Sequence, residues 1–465
     1  MGRSVSRRAF LKAGLAGSIM TVADGRLWAA EEGLPAYCGE MLASVAAKVR
    51  RNAERCADGF WFITDLHIPS NAKNSGRILA KLVAETPLKK VLCGGDMPEA
   101  FGGKASVDAT ITSYREEWVA PIERAGGDFY PAKGNHDFTI RTTPSSPDGF
   151  TYSGKSAHDV LMATQAVKQH AVTNPDDPEA CYYYVDFPEA KMRYIVADTT
   201  DSITTNRTYW AVVSGMHERQ VLWLAEHALT GIPEGWKVVV MHHIPIGGVA
   251  AEASGKRLYA PWRDLLEACH HRRTATVFGH TFDFTGARCE ILLDLTGHHH
   301  AERQSQLNGI WHVTEPCDAA YRDYINGSKP WCPNLPEKKR GTIYEQTFDA
   351  VQFDWEAGFI RFTRFGGGGD RALHLAKKTV KAGEQLSFSA SCFGGPFSWG
   401  CYDADRIALR PNPERKYDYF ADYFNDVAEI SKEGILTAKK TGETTVVALS
   451  PNGDKELFPV TVAGG

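Results

Sequence analysis

The sequence predicts an α/β fold with a layered sheet core, followed by a smaller all-β unit. Three observations predict it. From about Gly59 to Phe365, short apolar runs of strand length alternate with longer helical patterns. Five of those runs lead directly into clusters of Asp, Asn or His. After Gly366–Gly369 the pattern changes to strand-like alternation that continues to the C-terminus.

Taken in order, the chain opens with Ser6-Arg7-Arg8-Ala9-Phe10-Leu11-Lys12, a weakly apolar run from Ala13 to Ala23, and the small residues Ala29-Ala30. This start resembles a twin-arginine export signal over residues 1–30, with cleavage expected between Ala29 and Glu31. The apolar run is too short for a spanning helix, so no transmembrane segment is expected. Such a signal implies the twin-arginine export machinery as a partner, and a periplasmic or extracellular bacterial location.

The next unit is expected over residues 31–368. Its strand candidates are Phe60–Ile63, Lys90–Cys93, Asp128–Tyr130, Lys237–Met241 and Ile291–Leu295. Each delivers polar residues at its carboxyl end: Asp65 and His67, Asp96, Asn135 with His136 and Asp137, His242 and His243, and His298 to His300. In open α/β sheets ligands bind beyond the carboxyl ends of strands, so these ends can converge on one crevice. Helices are predicted around Ile78–Val83, Ser113–Glu123 and His217–His227 from their apolar spacing. Segments 141–157 and 325–345 have the composition of surface loops.

A third unit is expected over residues 369–465. Strands are predicted at Leu386–Ala390, Thr444–Leu449 and Phe458–Val462, and the stretch Val427–Gly442 resembles bacterial immunoglobulin-like domains of group 2. That resemblance implies a β-sandwich, with contact to cell wall or glycan as a partner role. No internal repeat of the stretch is visible.

Composition narrows the function classes. With 43% hydrophobic and 23% charged positions over 465 residues, the chain is long enough for two or three domains. Lys+Arg 52 against Asp+Glu 56 gives a formal charge of −4, and no basic excess points to nucleic acid as a partner. The ten cysteines include no C-x-x-C pair, which argues against a thiolate zinc site and leaves disulfide pairing open.

The chemistry lies in the order D-x-H, G-D, G-N-H-D, H, G-H-x-H. In an extended segment residues two apart face one side, so Asp65 and His67 can reach one ion, as can His298 and His300. Asp96 follows a Gly-Gly turn, where its two oxygens can bridge two cations. Asn135 offers a neutral carbonyl oxygen. An earlier Gly279-His280-Thr281-Phe282 lacks the second histidine of G-H-x-H, so Gly297–His300 is preferred.

These five motifs, over about residues 59 to 320, resemble the calcineurin-like metallophosphoesterase family. The resemblance implies a layered αββα sandwich and a phosphomonoesterase or phosphodiesterase of small-molecule esters. By matching position, Asp65, His67, Asp96 and His300 would hold one metal; Asp96, Asn135, His242 and His298 would hold the second. His243 is the alternative to His242, which is favoured by the family's downstream proline. The nucleophile implied is a metal-bridging hydroxide. His136 would contact the phosphoryl group or protonate the leaving group, and Asp137 would orient it. Two divalent or mixed-valence ions of manganese, iron, zinc or cobalt suit these ligands. The purple acid phosphatases carry a metal-binding tyrosine where this chain has Glu99. A rival reading is a catalytically inactive cell-surface binding protein that acts through its C-terminal unit; it requires a lost ligand, and all are present.

Overall fold

The computed structural model describes residues 34–56, 58–68, 72–98, 104–137, 154–201, 215–249, 259–318, 341–407 and 423–465. The expected signal at 1–30, Glu99, and most of segments 141–157 and 325–345 lie outside the described residues. Two sheets form the centre. The larger runs, across its width, through Ser398–Asp403, Gly442–Leu449, Lys455–Ala463, Arg371–His374, Phe359–Gly366, Thr347–Asp354, Gly59–Ile63, Lys90–Cys93 and Asp128–Pro131. The second runs through Arg303–Leu307, Ile310–Thr314, Glu290–Thr296, Lys237–Met241, Met192–Val196, Tyr183–Phe187 and Val172–Thr173.

The apolar residues explain the layers. Phe60, Phe62, Leu92 and Tyr130 of the first sheet bury against Val196, Val239, Met241, Leu293 and Leu295 of the second. The alternate residues Trp61, Ile63, Val91 and Cys93 pack outward against helices Cys38–Ala53 and Ala72–Glu85. On the far side, Ile195, Val238, Val240 and Ile291 pack against Glu218–Trp223 and Ala260–His270. The order is therefore helix, sheet, sheet, helix. Because both faces of these strands are covered, they are apolar throughout rather than alternating.

Each predicted strand is present within three residues at its ends, and the predicted helices correspond to Ala72–Glu85, the continuous stretch 104–124, and 218–228, with His217 at the cap of the last. Among the described residues no helix is long and apolar enough to cross a membrane.

The glycine run is the turn of a hairpin. Phe359–Gly366 pairs antiparallel with Arg371–His374, which pairs in parallel with Lys455–Ala463. The boundary expected at 368/369 thus falls between two strands of one sheet. Beyond it, a three-stranded sheet of Gln385–Ser387, Ile435–Ala438 and Ala428–Ile430 covers a small core of Val380, Phe388, Leu436, Val446, Phe458 and Val462. The C-terminal segment has its own core and also shares the main sheet.

Six buried charges fasten this junction. Arg364 pairs with Glu302 at 2.7 Å and with Asp349 at 2.9 Å, Arg371 with Glu315 at 2.8 Å, and Lys455 with Glu302. Lys455 belongs to the C-terminal unit. Glu302 lies two residues after His300, so the network links that unit to the last site loop.

Candidate metal centre

Parallel pairing sets the site. Gly59–Ile63 lies beside Lys90–Cys93, which lies beside Asp128–Pro131, so their carboxyl ends emerge together. The loops that follow are laced by backbone bonds: Asp65 N–H donates to Gly95 O at 3.0 Å and His67 N–H to Asp96 O at 2.9 Å. The side chains are then turned inward by backbone that few residues adopt. Asp65, His67, Asp96, His298 and His300 all have positive φ, between 44° and 68°. Left-handed backbone at non-glycine residues costs of order 1–3 kcal/mol each and gathers at functional sites. This replaces the expected strand-like presentation of D-x-H and H-x-H.

Two groups of donors result, sharing Asp96. In the first, His300 Nε2 stands 3.0 Å from Asp65 Oδ1 and 3.1 Å from His67 Nε2, and Asp96 Oδ2 lies 4.0 Å from His67 Nε2. In the second, Asn135 Oδ1 is 2.8 Å from His298 Nδ1 and 3.0 Å from His243 Nε2, and Asp96 Oδ2 is 3.1 Å from His243 Nε2. Asp65, His67, Asp96, Asn135, His298 and His300 are therefore brought together.

His242 is not among them; the structure corrects the expectation at this position. Its Nε2 pairs with Asp294 Oδ1 at 2.6 Å, and Asp294 Oδ2 in turn meets His312 Nδ1 at 2.7 Å. Strand alternation is the cause. His242 continues the face of Val238 and Val240, which looks away from the first sheet, whereas His243 continues that of Val239 and Met241, which looks towards it.

Asp137 is likewise placed elsewhere than expected. Its Oδ2 accepts from the backbone N–H of Asp96 at 2.9 Å and Gly134 at 2.8 Å, and Oδ1 from Met97 at 2.7 Å. It clasps the two loops and does not orient His136. The His136 ring stands perpendicular to His67 at 4.8 Å, with Nε2 3.9 Å from Asp96 Oδ2 and the side chain partly open to solvent.

Sequence reading missed Cys317. Its buried thiol donates to Asp65 O at 3.2 Å and its sulfur groups with ligand atoms of His67 and His300. No spacing signal marks it, since it stands alone after strand Ile310–Thr314. His280 lies on an exposed hairpin outside the cluster.

The electrostatics test whether cations fit. His243 Nδ1 faces Gly94 O at 2.8 Å, so that nitrogen donates and Nε2 presents its lone pair to the cluster. There it meets the Asn135 carbonyl oxygen and Asp96 Oδ2, a buried oxygen for which no hydrogen-bond donor is placed. Acceptors facing acceptors need a proton or a cation between them. Without a cation, burial works to lower the His243 pKa, but the Asp96 and Asp65 carboxylates raise it to about 9. Burial drives His298 down to about 3, so it stays neutral, as a metal ligand must. Burial disfavours the Asp65 anion, yet His300 beside it holds it well below the usual carboxylate range. The donor set fits divalent cations.

Residues 59–284 match the calcineurin-like phosphoesterase family. The matched segment contains Asp65, His67, Asp96, Asn135, His136 and His243; His298, His300 and Cys317 lie beyond it and meet those residues in the geometry above. The family brings metal-dependent phosphoester hydrolysis, and the His and Asp groups present are candidate ligands for it. No curated protein matches the chain. Among solved structures, it is similar to GAP50, the anchor in the inner membrane complex of Plasmodium, at 13% identity, 66% of this chain, 84% of that chain and a TM-score of 0.37. It is also similar to the phosphopantetheinyl hydrolase of Mycobacterium tuberculosis, at 13% identity, 56% of this chain, 90% of that chain and a TM-score of 0.28. A third is a Vps29 mutant from Entamoeba histolytica, at 9% identity, 66% of this chain, 91% of that chain and a TM-score of 0.23.

Proposed function

We propose that this chain is an exported phosphoester hydrolase with two metal ions and small-molecule esters as substrates. The observation that carries the reading is the arrangement of two groups of potential ligands around the shared Asp96, whose Oδ2 lies 3.1 Å from His243 Nε2. Asp65, His67, Asp96 and His300 would hold one ion; Asp96, Asn135, His243 and His298 would hold the other, with His243 in the role first given to His242. Manganese, iron, zinc or cobalt suits nitrogen and oxygen ligands of this kind.

Bound ions supply Lewis acidity and lower the pKa of water towards neutrality. The protein's own part is separable from that. Two carboxylates among the ligands leave a dication pair with surplus positive charge, which draws a phosphate anion to an overall acidic chain. His136, at the open side, is placed to donate a proton to a phosphoryl or leaving-group oxygen. Asp137 fixes the turn that presents both Asp96 and Asn135.

Export rests on the Arg7-Arg8 motif and is tested by signal cleavage and fractionation. For the C-terminal unit, two facing sheets with a private core support an immunoglobulin-like sandwich. The activity is tested by stripping the protein of metal, reloading it, and assaying p-nitrophenyl phosphate beside bis-p-nitrophenyl phosphate with Asp96→Asn as control. Metal-dependent turnover lost in Asp96→Asn is expected; two bound ions with neither ester cleaved would leave the site but remove these substrates.

A further inference from the structure

A second cluster of metal-ligating side chains lies away from the strand ends, in the C-terminal unit. His374 closes strand Arg371–His374, Glu456 lies on the adjoining strand Lys455–Ala463, and Cys392 comes from the loop after Gln385–Ser387. One ligand atom from each falls within 4.8 Å of the others. Glu456 is buried; His374 and Cys392 are half-buried.

The three are held in place by their surroundings. Glu456 Oε2 accepts from the backbone N–H of Ser391 at 2.8 Å and of Cys392 at 2.9 Å, which fixes the carboxylate and brings the cysteine to it. Oε1 faces His374 Nε2 at 2.8 Å. The His374 ring lies against Phe458, with centroids 4.3 Å apart and planes 19° from parallel. Such support from neighbouring groups is what orients metal ligands. Burial, then the Glu456 charge, pushes the Cys392 thiol up to about 12, so it keeps its proton unless a cation replaces it.

We propose that His374, Cys392 and Glu456 bind a zinc-class cation, separate from the phosphoesterase site, that staples the Cys392 loop to the C-terminal strands. One thiolate, one imidazole and one carboxylate suit Zn²⁺, whose contacts of about 2.0–2.3 Å fit donors this close together. The sulfur ligand biases the site away from magnesium, calcium and manganese. Binding releases the Cys392 proton to solvent, with no change of oxidation state. Three protein ligands leave a fourth position for water. Cys392 also lines a cavity of about 220 Å³ with Asn52, Thr363, Asp370, Phe393 and Asp454, so the thiol side of the cluster borders open space.

Cobalt(II) loading of the full chain tests this, through bound cobalt per chain and the near-ultraviolet sulfur-to-cobalt charge-transfer band. The band is expected in the unaltered protein, in Asp96→Asn and in Cys317→Ser. It is expected to vanish in Cys392→Ser together with one ion per chain, while phosphoester hydrolysis is retained. A second readout needs no variant: with zinc at about ten times its dissociation constant, maleimide labelling of Cys392 slows about tenfold, followed by peptide mass spectrometry. Cobalt bound without the band, a band that survives in Cys392→Ser, or labelling of Cys392 unaffected by zinc overturns the proposal.

Discussion

His243 Nε2 stands 3.1 Å from Asp96 Oδ2, while its neighbour His242 points the other way and meets Asp294 at 2.6 Å. Adjacent histidines thus serve two different buried carboxylates, and substitution separates their roles. His243→Ala is expected to lose one ion per chain, measured by elemental analysis of the reloaded protein. His242→Ala keeps the ions but leaves Asp294 in the interior with His312 as its one remaining imidazole partner, and breaking a buried pair costs up to about 3–5 kcal/mol, read by denaturant unfolding.

The two residues after Asn135 divide in the same way. His136→Ala is expected to lower kcat by roughly 10²–10⁴-fold with metal content unchanged, the loss typical of a missing proton donor. Asp137→Ala removes the acceptor for three buried N–H groups, at about 1–3 kcal/mol for each group left unsatisfied. It should unfold at lower denaturant and bind metal weakly, whereas His136→Ala should unfold normally.

Metal binding and pH are linked through His243. In the metal-free protein its pKa is raised to about 9 from an ordinary 6.5. A raised pKa contributes stability that is fully present below about 6.5 and lost as pH rises through about 9. The metal-free protein should therefore lose stability across that window, and loading should release a proton there and abolish this slope. Calorimetric titration in buffers of different ionisation enthalpy counts the proton; a count that does not differ between unaltered protein and His243→Ala contradicts the assignment.

Much of this was legible in the sequence, and the failures have physical causes. The strands carrying Asp65, Asp96 and Asn135 were readable because apolar runs stop at polar turns, the latter two with glycine ahead of the polar residue. The choice between His242 and His243 was not, because Lys237–Met241 is covered on both faces and gives no polar alternation to tell inside from outside. Asp137 was misjudged because its partners are backbone N–H groups, which no side-chain motif announces. Cys317 depended on the segment after strand Ile310–Thr314 returning to the first loop, where Asp318 N–H donates to Thr64 O. The pairing of Arg371–His374 with Lys455–Ala463 joins residues more than eighty apart, a contact no local pattern contains.

The C-terminal unit should matter to the site because Lys455 reaches Glu302. Lys455→Met leaves three buried acids with two arginines and is expected to cost about 3–5 kcal/mol, measured by thermal or denaturant unfolding. Its effect on kcat should follow the loss of folded protein and vanish in the folded fraction if the link is purely structural.

The central claim is that two cations share Asp96. Anomalous diffraction from crystals of the metal-loaded protein tests it most directly. The account predicts two peaks, one among Asp65, His67, Asp96 and His300 and the other among Asp96, Asn135, His243 and His298. A single peak, no peak at Asp96, or a peak coordinated by His242 would contradict it.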